Sequence, residues 1–335
     1  MKKIKVGVIG IGVMGRSHVR VYSSMKNAEL VAIADSSQEN LDSAEQEFGL
    51  DKVAKYTDFR KMIKEESMDA VSICVPTKMH FEAAQAAIKA GLHVLVEKPM
   101  TATVEEAQKL ISLANQHKTK LFIGHIERFN PVVQELKKRI LENEIGTIYN
   151  ISSFRLSPFP KRILDVGVTI DLAVHEIDII NYLTGSKLDY VYAETARRIH
   201  SKSEDLLVAT LRFDNHILGV INCNWLTPRK VREITITGEK GMFVANYLAQ
   251  ELHFYQNEFT NGKMDYSKGP FSVVEGRMQK IEIEKKEPLA EELNSFVNCI
   301  INDEQPLVTG ADGLHAIDVA AKLLESARTK QVMKL

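Results

Sequence analysis

Lys98, Asp171 and His175 are the residues of this 335-residue chain whose types and settings could move a proton in a reaction. Lys98 lies in Glu97-Lys98-Pro99, directly after the apolar run 92–96. An amine in that setting can serve as acid or base for an alcohol and carbonyl pair if burial and a nearby positive charge bring its pKa down to roughly 7–8. Most lysines near a strand end are instead solvated and paired with an adjacent acid, here Glu97. Asp171 and His175 are four residues apart in 168–183, which reads as a helix, so they share one face of it. A carboxylate and an imidazole so placed can bind a sugar hydroxyl and carry off its proton, the acid orienting the ring or the substrate. Asp178, three residues further along that stripe, reads as solvent-facing. His175-Glu176 is no zinc motif, since no second histidine follows at the helical repeat, and no other metal-ligand spacing occurs.

Loss of a hydroxyl proton becomes an oxidation only if a hydride also leaves, and residues 3–35 carry the signature of a hydride carrier's binding unit. Ile4, Val6, Val8 and Ile9 form a short apolar run, after which Gly10, Gly12 and Gly15 stand at G-x-G-x-x-G spacing, with Val13 and Met14 inside the turn that opens a helix. The first glycine permits the tight turn, the second lets backbone N–H groups reach a pyrophosphate, and the third lets helix and strand approach. A second apolar run, 30–34, ends at Asp35, twenty residues after Gly15. An acid at that place can hold a ribose 2′-hydroxyl and would repel a 2′-phosphate, which favours NAD over NADP.

The elements that must position these groups follow from periodicity. Short apolar runs alternate with helical stretches as far as 124, giving six strands (the third at 53–56, the fourth at 69–75 and stopped by Pro76, the fifth at 92–96, the sixth at 121–123) with helices between them. The pattern predicts a doubly wound parallel sheet over 1–124. After a helix over 131–142, the segments 148–156, 190–199, 206–213, 217–225 and 232–237 read as strands without intervening helices. Residues 125–335 are therefore expected to form an α+β domain with an open, largely antiparallel mixed sheet. Two helices, 289–301 and 312–330, close the chain and are free to pack back toward the first domain, the second opened by an Asp312 cap after Gly310. Residues 257–269, rich in Asn, Gly and Lys, form the expected mobile loop.

Composition narrows the function classes. Lys plus Arg number 43 and Asp plus Glu 44, a formal charge of −1, so no global field draws nucleic acid or an anionic membrane. No apolar run reaches membrane-spanning length. The basic start followed by an apolar stretch resembles a secretory signal, but Arg16 and His18 interrupt it and no small-residue cleavage site follows. Cys74, Cys223 and Cys299 are an odd number without C-x-x-C spacing, as expected of buried free thiols in the cytoplasm. A second-domain sheet face rich in Leu, Ile, Phe and Trp225, too wide for one helix to cover, predicts a homo-oligomer, dimer or tetramer.

Taken together, Gly10, Gly12, Gly15 and Asp35, Pro76 with His80, Glu97-Lys98-Pro99, and Asp171 with His175 resemble the Gfo/Idh/MocA oxidoreductases. So do Pro288-Leu289, Phe296, Pro306, Gly310-Ala311-Asp312-Gly313 and Glu325-Ser326-Ala327, so that essentially the whole chain is covered. The resemblance implies an N-terminal Rossmann domain, a C-terminal domain whose sheet serves oligomerisation, Lys98, Asp171 and His175 as catalytic trio, and Gly10, Gly12, Val13, Met14, Gly15, Asp35, Pro76, His80 and Glu97 around NAD. Ala173 departs from the family, many of whose members carry glycine two residues before the helix histidine.

Residues 124–131 and 165–172 are similar to the UDP-N-acetylglucosamine 3-dehydrogenases and their uronate-acting relatives. Lys161 and Arg162, just before the helix of Asp171, could hold a diphosphate or carboxylate through the planar guanidinium. Arg229, Lys230 and Arg232 form a second basic cluster, although such clusters are usually solvated faces. Asn130 either lines the substrate pocket or caps the following helix. The leading expectation is NAD-dependent oxidation of carbon 3 of a UDP-linked N-acetylhexosamine. A dehydrogenase of a free polyol or aldose is the alternative of the same class, and a silent dinucleotide-sensing regulator the alternative of another.

Overall fold

The apolar runs of the first 124 residues become parallel strands buried on both faces, which is why they show little alternation. A computed structural model describes residues 3–160, 166–200, 202–257 and 276–335. The chain divides into two units, 1–129 with 286–318 and 130–285 with 319–335.

In the first unit, β1 (Ile4–Ile9), α1 (Val13–Ser24), β2 (Ala28–Ala34), α2 (Gln38–Phe48) and β3 (Ala54–Tyr56) form one half of the doubly wound sheet. The chain then passes through α3 (Phe59–Glu65) to β4 (Ala70–Ile73), α4 (His80–Lys89), β5 (His93–Glu97), α5 (Val104–His117) and β6 (Leu121–Gly124). The strand order β3-β2-β1-β4-β5-β6 is parallel throughout and reverses direction between β1 and β4. Ligands of such sheets bind at the carboxyl ends of the strands beside that reversal. Val6, Val8, Val71, Val94, Leu95 and Phe122 are wholly buried and form the centre of this core.

In the second unit, α6 (Pro131–Leu141) leads into β7 (Ile148–Leu156). The helix expected over 168–183 begins as a π-helical segment, Thr169–Ala173, and continues as α7 (Val174–Thr184). There follow β8 (Leu188–Ala196), β9 (Leu206–Phe213), β10 (Leu218–Asn224), β11 (Val231–Gly238), β12 (Gly241–Asn246), β13 (Glu251–Gln256) and β14 (Arg277–Ile281). The chain ends with α8 (Pro288–Ile301), α9 (Gly310–Thr329) and β15 (Met333–Lys334). The second sheet has nine strands among the described residues, in the order β14-β13-β12-β11-β7-β10-β9-β8-β15. Its one parallel pair there is β7 with β10, so the expected largely antiparallel mixed sheet is present.

Several local expectations are corrected. The strands β12 to β15 were not expected; β14 has four exposed residues out of five, and β15 has two residues. The strand expected over 190–199 stops at Ala196 because the N–H groups of Arg198, Ile199 and His200 turn to the buried Asp205 carboxylate, at 2.6–2.9 Å. Burial opposes that charge, but those donors hold the Asp205 carboxyl below its ordinary pKa. Trp225 is not on an open face: it is 1 % exposed and packs on Phe159 and His200. Thr309, not Asp312, caps α9; Asp312 sits in its first turn and accepts from the Thr309 N–H and hydroxyl, while its other oxygen takes Arg128 at 2.8 Å. Cys74 is half-buried, whereas Cys223 and Cys299 are buried. Apart from Asn257, the loop expected over 257–269 lies outside the described residues.

α7 is apolar nearly all round, through Ile177, Ile179, Ile180 and Leu183, and so is buried on every side. Asp178 is accordingly 2 % exposed and does not face solvent. Glu176, wholly buried, accepts from Arg155 and Ser153 of β7, which ties the helix to the sheet. Arg155→Met should lower stability by about 3–5 kcal/mol, because it leaves a buried carboxylate without its cation. Adding Glu176→Leu should recover most of that loss in a denaturant melt; a double variant no more stable than the single one contradicts the ion-pair account.

Candidate functional site

The three fingerprint glycines have separable structural demands. Gly10 has φ +90°, and a Cβ there would fall 2.7–2.8 Å from the backbone of Cys74 and Val75. A Cβ on Gly15 would lie 1.8 Å from the Gly10 carbonyl oxygen, so helix and turn touch backbone to backbone. At Gly12 a Cβ would meet nothing within 4 Å. Gly12 is thus open where the other two are filled, and it opens α1 without a side-chain cap. An uncapped helix N-terminus beside a bare backbone is what a pyrophosphate needs, so these residues fit a dinucleotide. Val13, 68 % exposed, and the part-exposed Met14 flank the same turn. Asp35 at the end of β2 accepts from Ile11 N–H (2.7 Å), Ser37 N–H (2.9 Å) and Asn40 Nδ2 (3.1 Å), which holds its carboxylate beside the glycine turn.

At the end of β5 the Glu97 side chain points inward, 7 % exposed, and takes a hydrogen bond from His18 Nε2 (3.1 Å) and one from the Lys98 backbone N–H (3.2 Å). Burial raises the cost of its charge. The His18 hydrogen bond and the charges of His18, Lys98 and His80 outweigh that, leaving the Glu97 carboxyl below the ordinary glutamate value. Lys98, half-buried, follows at the carboxyl edge of the sheet, and its peptide bond to Pro99 is cis. Pro76 ends the turn after β4, and His80 behind it is 1 % exposed. Both ring nitrogens of His80 face carbonyl oxygens, Nδ1 that of Pro99 and Nε2 that of Val75, each at 2.8 Å. Burial pushes the imidazole pKa down against those carbonyls and Glu97, with Lys98 adding to the lowering. His80 thereby joins the loop after β4 to the loop that carries Lys98.

In the second unit the π-helical segment carries Asp171, and the first turn of α7 carries His175, 8 % exposed. Asp171 is half-buried. π-Helical turns inside α-helices widen the backbone and are frequent at functional sites. Glu204 fixes the start of the segment: its carboxylate accepts the Thr169 N–H at 3.1 Å and its carbonyl the Val168 N–H at 3.0 Å. Gly167 leaves room for it, since a Cβ there would fall about 2.1–2.2 Å from the Glu204 carboxylate.

Asn130 resolves toward the capping alternative: its Oδ1 accepts Val132 N–H, its Nδ2 donates to the Tyr247 carbonyl, and it is 3 % exposed. Arg232 donates to the carbonyls of Leu156 and Val231, both at 2.7 Å, and so is part of the sheet. Lys161 and Arg162 lie outside the described residues. Sequence reasoning missed His18, Glu204, and the Arg155–Glu176 pair. His18 carried a signal, a polar side chain three residues after Gly15 on the face of α1 that includes the buried Val19 and Tyr22. Among the described residues no helix is long and apolar enough to cross a membrane, and no three His, Cys, Asp or Glu residues are arranged to hold a metal ion.

Comparison with known proteins agrees with this geometry. The chain is 28 % identical to the UDP-N-acetylglucosamine 3-dehydrogenase of Acidithiobacillus ferrooxidans, over 96 % of this chain and 97 % of that protein, and a crystal structure of that enzyme matches with a TM-score of 0.86, covering 98 % and 99 % of the two chains at 26 % identity. It is 26 % identical to the myo-inositol 2-dehydrogenase of Thermotoga maritima over 99 % of this chain and 98 % of the other. The WlbA dehydrogenase of Bordetella pertussis, solved with NADH and UDP-GlcNAcA, matches at 25 % identity with a TM-score of 0.82, covering 100 % and 99 %. Residues 4–125 match the family model described as the oxidoreductase family with NAD-binding Rossmann fold, and residues 133–244 match the GFO/IDH/MocA C-terminal domain. With the glycine turn, the acid after β2 and the lysine after β5 all in place, these two matches make the chain a member of the GFO/IDH/MocA family of oxidoreductases.

Proposed function

We propose that the chain is an NAD-dependent dehydrogenase that oxidises a secondary hydroxyl of a sugar, carbon 3 of a UDP-linked N-acetylhexosamine. The observation that carries the reaction type is the setting of Lys98, a half-buried lysine whose backbone N–H is held by an ionised buried carboxylate at the carboxyl edge of a dinucleotide-binding sheet. The substrate class rests on similarity along almost the whole chain to a UDP-N-acetylglucosamine 3-dehydrogenase and to a dehydrogenase solved with UDP-GlcNAcA. A nicotinamide dinucleotide, when bound, supplies the hydride acceptor. Gly10, Gly12, Val13, Met14, Gly15 and Asp35 would hold it, with Pro76, His80 and Glu97 shaping the strand ends beneath.

In this reading Asp171 and His175 bind the sugar hydroxyl, and its proton passes to Lys98 or His175 while Asp171 orients the receiving group. The Arg162 fork, with Lys161, pairs with the diphosphate. A second reading, oxidation of a free polyol, is favoured by the similarity to myo-inositol 2-dehydrogenase and leaves Lys161 and Arg162 without an anionic partner. Turnover on UDP-sugars against free sugars separates the two.

Lys98→Ala should cut kcat by about 10²–10⁴ while the NAD dissociation constant changes little. Whichever of Lys98→Ala and His175→Ala abolishes the acidic limb of kcat/KM against pH identifies the base, and full turnover by Lys98→Ala contradicts the relay. Asp35→Ala should raise the NADP-to-NAD ratio of kcat/KM about tenfold or more, equivalent to about 1.4 kcal/mol of relieved repulsion. An unchanged ratio would remove Asp35 as the selector. For assembly, Tyr190 on β8 and Leu218 on β10, both paired with Arg212 of β9, and Val208, on the same strand as Arg212, are exposed and offer apolar contacts on this sheet face to a second copy. Light scattering should give a multiple of 37.7 kDa, falling to the monomer in Val208→Arg with Leu218→Arg.

A further inference from the structure

Glu292, on α8, is wholly buried in the first unit, and neither of its carboxyl oxygens meets a hydrogen-bond donor among the described residues. Buried polar groups are almost always paired, and an isolated carboxylate in that position would cost far more than a neutral acid. The helix packs on α1, which bears His18 and Tyr22, and on the 3-10 turn Ile126–Phe129, which bears Glu127. The titratable groups that act on Glu292 or feel it are Glu97 on β5, Glu127, Tyr22 and Cys74. His18 completes the cluster. Its Nε2 must donate to the ionised Glu97, and its Nδ1 is buried without a partner among the described residues.

Two carboxyl groups thus influence each other inside one apolar core, and their surroundings differ. Glu97 has two donors and the charge of Lys98 to stabilise an anion. Glu292 has burial and the negative charges of Glu97 and Glu127, which push its pKa well above the ordinary range. Such asymmetry drives neighbouring acids into different protonation states. We propose that Glu292 is a positioning acid that carries a proton in the native protein, leaving Glu97 as the one charged carboxylate beside Lys98.

The consequence for chemistry rests on Lys98 being the reactive amine of the proposed dehydrogenase. A single negative charge holds the Lys98 backbone and offsets a proton arriving at the amine. A second charge would bind that proton more tightly and leave less of the amine as free base near neutral pH. Glu292 would act through Glu97 and Lys98 without touching substrate.

Three readouts on the intact protein test this, and none needs a substrate. At pH 7.5 the infrared spectrum of the wild type should contain a protonated-carboxyl carbonyl band that Glu292→Gln lacks; absence of the band from the wild type overturns the proposal. A carboxyl whose pKa is higher in the folded than in the unfolded chain contributes stability that is complete below the unfolded value and is lost as pH climbs through the folded one. The melting temperature of the wild type should therefore fall more steeply than that of Glu292→Gln between pH 5 and pH 9, and parallel curves overturn it. Acylation of Lys98, followed by mass spectrometry, should rise with pH in both proteins, about tenfold per unit while the amine titrates. As Glu292 ionises in the wild type, the wild-type profile should fall behind and reach its plateau at higher pH than that of Glu292→Gln, and superimposable profiles refute the link to Lys98. If Glu292→Gln does not fold, Glu292→Met serves as the neutral variant. Failure of the sugar-dehydrogenase reading would appear separately, as absence of turnover on every sugar offered.

Discussion

A carboxylate that stays ionised inside the first unit, Glu97, organises the strand ends around it. Its charge is tolerable because donors reach it from two directions: His18 from α1, and the backbone N–H of the next residue, Lys98. Each donor fixes something else. The first pins the helix that follows the glycine turn to the end of β5, and the second sets the chain direction from which the lysine departs. The neighbouring strand must make room, since a Cβ at Gly124 of β6 would fall 3.1–3.2 Å from Glu97. His80 then ties the loop after β4 to the loop after β5 through the Val75 and Pro99 carbonyls. Cofactor turn and lysine loop are positioned by a polar cluster, and the apolar sheet beneath supplies the rigidity that makes the positioning hold.

The second unit solves a related problem by other means. Asp171 and His175 stand on a helix that must be buried to be held and polar to be useful. Burial comes from the isoleucines and leucine of α7, while the polar cost is met from the sheet, where Arg155 and Ser153 take up Glu176. The π-helical start, capped by Glu204, then lets the residues around Asp171 depart from regular α-geometry without leaving backbone donors at the segment's head unpaired. Ala173 falls inside that segment. A residue with a small side chain there is compatible with a widened backbone turn, which accounts for alanine serving where many relatives carry glycine.

What was legible beforehand divides along physical lines. The parallel sheet was readable because its strands are buried on both faces, so that Val6, Val8, Val71 and Val94 stand out against the helices between them. The strand spans 148–156 and 206–213 matched observed elements residue for residue because buried and exposed positions alternate along them. Where regularity is broken by a tertiary hydrogen bond, periodicity could not follow. Asp205 draws three N–H groups out of the expected strand, and Trp225 leaves its expected surface for an aromatic pocket. The same limit applied to the site. Gly10, Gly15, Asp35 and Lys98 were identifiable because local spacing determines their surroundings, whereas His18, Glu204 and Glu292 act on residues distant in sequence.

Asp35 illustrates why local spacing and function coincide in the first unit. The carboxylate expected to read the ribose already accepts the N–H of Ile11, within the glycine turn, and that of Ser37, the residue that caps α2. One oxygen therefore holds the cofactor turn, while the other orders the start of the next helix together with Asn40. An acid that is held on both oxygens presents its charge at a fixed place without ordering cost at the moment of binding. The same bonds make it a structural element of the turn. The side chain expected to choose the cofactor is thus also the one that sets the turn geometry, so its replacement would loosen the loop proposed to receive the pyrophosphate.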